Sequence, residues 1–241
     1  MRRALLMVAL LVPGWASAGQ EPLSQASYAG SPLAMMSMLA VMSLLPFAVL
    51  MLTSFSKIAV VLSLARSALG TQQAPPTLVL TGLAAVLSAH IMAPVMERMY
   101  EAGTIAYQEV ESGAQMLTAA ERATEPLRAF LVKHGSAEER ARFVELAREL
   151  RPLEEADQVQ EQNLFIIIPA FVITELKEAF QIGFLIFLPF LVLDMVIANV
   201  LLALGMQTLS PSQVSLPFKI LLFVAVDGWA LLARGLILGY R

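Results

Sequence analysis

Ionisable side chains stand inside the most apolar stretches of this chain. Asp194 lies in "LVLDMVIA", Asp227 in "VAVDGWA", Lys219 in "LPFKILL" and Lys57 in "TSFSKIAVV". A short charged patch, Glu175, Lys177 and Glu178, interrupts "FVITELKEAFQIG". Two carboxylates on separate apolar segments suggest an aspartyl dyad, in which close acids share one proton. The GxGD signature of intramembrane aspartyl proteases is absent, because Asp227 sits in "AVDGW". Charges at membrane depth are costly and usually face a partner or a wet cavity. Glu175 and Glu178 are three apart and share one helix face, while Lys177 points elsewhere. Lys219 is the obvious cation for them, within or between copies of the chain. The other outcome is an interfacial turn wetted by water or headgroups. Lys57 pairs with an acid or snorkels to a water boundary.

Other chemistry is thinly supported. Cysteine is absent, which removes disulfides and thiolate zinc sites. No HExxH, GxSxG or P-loop pattern occurs. The histidines are His90, expected to be hydrogen-bonded in a greasy helix, and His134, expected to be solvated in a polar turn. The reading is non-enzymatic, with no metal and no cofactor.

The elements that carry these residues are apolar. Hydrophobic residues make up 58% of the 241, and only 15% are charged, against about 25% in a soluble domain. A net charge of −3 leaves no basic stripe for nucleic acid. Residues 1–18 read as a signal peptide: Arg2 and Arg3, an apolar core from Ala4 to Val12, then Ala16-Ser17-Ala18. The alternative is an uncleaved anchor, but the core falls short of the ~20 residues a span needs. Residues 31–96 form a first apolar helical region and 164–241 a second. Between them, residues 97–163 hold 22 of the 35 charged side chains. This insert has helical spacing at Leu127, Phe130 and Leu131, and at Phe143, Leu146, Ala147 and Leu150. "SAEERARFVELAREL" opens with a Ser136/Glu139 capping pattern. The expected class is therefore all-α: membrane-associated helical hairpins with a small polar helical insert. Pro46 and Pro189 are expected to kink or break their helices. Gly70 and Pro75-Pro76 end the first helical unit and allow a reversal.

Buried charges and loops such as "ALGTQQAPP" and "LGMQTLSPSQVSLP" do not suit four plain spans. Irregular backbone at membrane depth needs burial in protein or contact with water. The pattern suits helices packed against other subunits around an aqueous path.

Three stretches carry a resemblance. "PFAVLMLTSFSKIAVVLSLARSALGTQQAPP", "PAFVITELKEAFQIGFLIFLPFLVLDMVIANVLLALGM" and "SPSQVSLPFKILLFVAVDGW" resemble the signatures of the R component (SctR/FliP family) of the type III secretion export apparatus. "LSAHIMAPV" and "SPSQVSLPFK" look more like the injectisome branch, whereas a signal peptide is more typical of the flagellar, FliP-like branch. The resemblance implies a homo-oligomer of five copies. It also implies the S and T components as partners, the U and V components alongside, and unfolded secreted proteins as cargo. It places the assembly in contact with lipid at the bacterial inner membrane, largely on the periplasmic side, where the insert would lie. A solute transporter or channel subunit is the other reading, but no internal repeat supports it.

The resemblance also assigns the loop "LGMQTLSPSQ" to a gasket around the closed pore. Met206 and Leu209 are the gasket candidates after Gly205, while Gln207 and Thr208 stand where further methionines are common. An ordinary hairpin turn is the alternative. Asp194 reads as an intersubunit or pore-facing acid, or as a bonded core carboxyl. Asp227 reads as structural, its carboxylate bonded to nearby backbone or to Lys219.

Overall fold

The computed structural model describes residues 32–71, 73–108, 113–152 and 159–241. The expected signal peptide, residues 1–18, lies outside them. Among the described residues every regular element is an α-helix. They are α1 (Pro32–Met51), α2 (Phe55–Ala68), α3 (Thr77–Gln108), α4 (Gly113–His134), α5 (Ala137–Glu149), α6 (Leu164–Ala203), α7 (Pro211–Ala225) and α8 (Gly228–Leu238). The chain divides into two compact units, residues 1–44 and 45–241. The described part of the first is the start of α1, an uninterrupted run of apolar and small residues. All packing below belongs to the second.

Helical periodicity decides which residues meet. On α2, Ile58, Val61, Leu62 and Ala65 follow the i, i+3, i+4, i+7 rule and are fully buried or nearly so. Ile58, Val61 and Leu62 pack with Leu80, Ala84 and Leu87 of α3, Ala179 of α6 and Leu236 of α8. A second cluster joins Met92 and Val95 of α3, Phe130 and Leu131 of α4, Ile167 and Phe171 of α6, and Tyr240. A third brings Ala68 and Leu69 against Phe190 and Phe223. Close approach of α2 and α6 depends on Gly183, where an added Cβ would sit 3.1 Å from the Cβ of Leu64.

The 40-residue α6 is continuous across both Pro169 and Pro189, so of the kink or break expected at Pro189 the break is corrected. The residue after it, Phe190, is held by Ala68, Leu69 and Phe223, and packed neighbours let an apolar helix carry a proline. Pro46 likewise lies inside α1. The charged patch is therefore part of a helix and not an interfacial turn. α3 also runs unbroken past residue 96, where the charge density rises, to Gln108.

α2 ends at Gly70, which has φ 77° and donates its N–H to Ser67 O. Arg66 then reaches over the turn to Pro75 O and Thr77 Oγ1, and Pro76 O accepts from Val79 and Leu80 at the head of α3. α7 and α8 meet at a 58° bend. Its pivot is Asp227, in the left-handed region at φ 51°. Next to it, Gly228 lies against the Phe223 ring with no room for a Cβ. Asp tolerates left-handed backbone better than most residues, whereas a β-branched side chain does not. Asp227→Gly should leave the melting temperature in detergent unchanged or raised, while Asp227→Val should cost about 1–2 kcal/mol.

The polar insert docks on α6 through its turn. Ser136 caps α5 by backbone alone, so the expected Ser136/Glu139 capping box does not form. Thr174 Oγ1 accepts the Ser136 N–H at 3.0 Å and donates to Ala170 O at 2.7 Å. Freed from capping, Glu139 is buried and meets Arg142 at 3.3 Å and Lys177 at 3.6 Å.

Candidate functional site

The i+4 row of α6 runs Phe171, Glu175, Ala179, Gly183, so its core-facing seam includes an acid. Glu175 is fully buried. The matching seam of α2 runs Ser54, Lys57, Ile58, Val61 and brings a buried lysine to it. Lys57 Nζ lies 2.9 Å from Glu175 Oε1 and 2.6 Å from Glu178 Oε2. The cation of the charged patch is thus Lys57. Within the chain Lys219 does not reach Glu175 or Glu178, which corrects the within-chain form of that pairing. The two acids share a face only with the helix packed on that face, and that helix is α2.

Two aromatic groups complete this centre; the sequence reading missed Tyr240 and placed His134 in a solvated turn. Tyr240 donates its hydroxyl to Glu175 Oε2, and its ring lies 4.4 Å below Lys57 Nζ. Burial, and then the adjacent Glu175 carboxylate, push the phenol well above its ordinary range, so it stays a proton donor. His134 is half-buried rather than solvated, 4.7 Å from the Phe130 ring and 5.0 Å from that of Tyr240. Burial first, then Lys133 and Lys57, lower its pKa to about 4, against the smaller opposing pull of Glu178. The imidazole is neutral and serves as an aromatic wall. A signal for Tyr240 was present: it falls four residues after buried Leu236, just past the end of α8. His90 is exposed on α3, and its side chain has no hydrogen bond among the described residues.

A second pair joins α6 to α7. Lys219 Nζ, itself buried, lies 2.6 Å from Asp194 Oδ2. Ser215, one turn before Lys219, donates to Asp194 Oδ1. Both oxygens of Asp194 are engaged, so it is not placed to share a proton with another acid. Asp227 is exposed, and its carboxylate has neither a capping bond nor Lys219 as partner. The expected bond to Lys219 is corrected: Asp194 holds that cation.

The pair sits behind the α6–α7 loop. Gly205, at φ 72°, donates to Leu202 O, and Met206 N donates to Leu201 O at 2.9 Å. These are the two bonds of a Schellman motif, which needs glycine at its left-handed position. It turns the chain sharply and leaves Met206, Gln207 and Leu209 exposed.

These elements fall within one shared segment. The FliP family model matches residues 38–236. The chain belongs to the FliP family. Similar proteins include the hypersensitivity response secretion protein HrcR of Ralstonia nicotianae, 48% identical over 83% of this chain and 93% of its own length. The Yop proteins translocation protein R of Yersinia pestis is 45% identical over 84% of this chain and 93% of its own. The flagellar biosynthetic protein FliP of Pectobacterium carotovorum is 44% identical over 81% and 73% respectively. Lys57, Glu175, Asp194, Lys219 and the α6–α7 loop all lie inside the matched residues.

Proposed function

We propose that this chain is a core subunit of the type III secretion export gate, a non-enzymatic part of a protein-conducting channel for unfolded substrates. Family membership supports the assignment to the export apparatus. The observation that carries the gate reading is the uncovered apolar face along α6 and α7. Phe184, Leu191, Met195 and Leu202 of α6, with Leu221 and Val224 of α7, are each half exposed or more. Apolar surface on that scale marks an interface or membrane contact. Ion pairs with buried lysines tie α6 to α2 and to α7, while the outer face of α6 is left for neighbours.

The assembly in this reading is a ring or arc of several copies, five by family resemblance. It recruits the S and T components and stands beside the U and V components. It sits in the bacterial inner membrane and largely at its periplasmic side. The injectisome branch is favoured: the proline-flanking motifs point there, and two secretion proteins outside the flagellar system reach 48% and 45% identity. Native mass spectrometry of the detergent-extracted protein, alone and with S and T components, tests the reading. A multi-copy species that captures both supports it; a monomer that ignores both sinks it.

Met206 and Leu209 would close such a channel at rest. Methionine repacks around varied side chains, and rings of apolar groups gate by excluding water. Met206→Gly with Leu209→Gly should leave assembly intact and raise the resting ion leak of the assembled gate, measured as bilayer conductance. An unchanged resting conductance would reduce the loop to a hairpin turn.

A further inference from the structure

Tyr240 lies four residues beyond the segment that the family model matches, which ends at residue 236. It nevertheless occupies the centre of the charged site. Its ring stacks on Phe130 of α4 at 6.0 Å and 14°, and touches His134 of the same helix. The same ring carries Lys57 of α2 on its face. The hydroxyl ends on Glu175 of α6. Just beyond, Lys133 Nζ of α4 donates to the backbone oxygen of Arg241 at 3.3 Å. One side chain therefore touches the first apolar region, the polar insert and the second apolar region at once.

The charge balance at the centre shows why such a residue is useful. One ammonium, Lys57, faces two carboxylates, Glu175 and Glu178. Glu178 is half exposed and reaches water, but Glu175 does not. Lys57 approaches Glu175 Oε1 off the hydrogen-bonding direction, leaving that oxygen without a hydrogen-bond donor among the described residues. The Tyr240 hydroxyl is then the hydrogen-bond donor to this buried carboxylate. A buried charge is tolerated only when paired and hydrogen-bonded.

We propose that Tyr240 is a positioning residue that locks the Lys57–Glu175 centre and, through Phe130 and His134, keys the polar insert to the apolar helices. Its hydroxyl fixes Glu175, its ring fixes Lys57, and its other face fixes the end of α4. The lock is a property of the single chain and stands independently of the export-gate reading.

Hydrogen exchange on the detergent-solubilised full chain tests it. Tyr240→Phe keeps the ring and removes only the donor. Loss of a hydrogen bond to a charged buried group is equivalent to about a tenfold to hundredfold change in an equilibrium. Exchange of residues 130–136 and 171–178 should accelerate by about that factor, with residues 80–87 in the other cluster much less affected. Glu175→Leu removes the acceptor, so adding Tyr240→Phe in that background should change exchange little, as contact pairs do in a double-mutant cycle. Equal acceleration in both backgrounds, or none in either, would overturn the proposal, since plain packing by the ring predicts no effect of the hydroxyl. If Tyr240→Phe alone does not accumulate, the Glu175→Leu, Tyr240→Phe pair should restore it; failure to restore would also overturn the lock.

Discussion

Replacing Lys57 by methionine should destabilise the chain by about 3–5 kcal/mol, the usual effect of removing one partner from a buried ion pair. The lost attraction is the smaller part. Methionine fills nearly the same volume on the α2 seam, so packing is largely kept. What remains is Glu175, fully buried, with a second acid beside it and only the Tyr240 hydroxyl to answer its charge. Lys57→Met combined with Glu175→Leu should recover most of the loss, because exchanging a whole buried pair for apolar groups is often neutral. Thermal or denaturant unfolding in detergent reads both variants. Equal melting temperatures for Lys57→Met and the unmodified chain would show that water reaches Glu175 and that the centre is not buried in the working protein.

Phe171→Ala should be as damaging, at about 3–5 kcal/mol, for a different reason. The Phe171 side chain has no solvent exposure and is the largest of the fully buried residues. It packs with Met92, Val95, Phe130, Leu131 and Ile167, and its backbone lies 3.5 Å from where a Cβ on Gly135 would stand. Truncation opens a cavity where the insert meets α6. The loss should appear in limited proteolysis as faster cleavage between α4 and α5, before the α2–α3 core gives way. Phe171→Leu should recover more than half of it. Cleavage spread evenly along the chain would argue against a distinct junction.

Much of this arrangement could be read from residue spacing. The 3.6 period located the paired helices of the insert and put Glu175 and Glu178 on one face, and long apolar runs marked the helical regions on either side. Partner choice could not be read, because it depends on which helices cross and at what height. Lys57 and Lys219 offer the same chemistry, and only the crossing of α2 over α6 gives Glu175 to the first. Lys219 goes to Asp194 because α7 folds back on the second half of α6 from a tight Schellman turn. Proline misled in another way: its local cost at Pro189 is real, but Phe190 beside it is clamped from two sides. His134 and Ser136 look like loop residues by composition. Both are recruited by surfaces distant in sequence, Tyr240 for one and Thr174 for the other.

The length of α6 has a geometric consequence. Forty residues of α-helix extend about 60 Å, roughly twice the ~30 Å hydrocarbon core of a bilayer. Lying wholly within that slab would require a tilt of about 60°, well past the 0–40° seen for membrane helices. An α6 that crosses a bilayer would stand proud of the lipid like a mast, with part of its greasy flank above the waterline. Acyl chains cannot wet that part, so only other polypeptide can. A lone subunit in a membrane would carry a dry surface in water, and this alone drives it to find company.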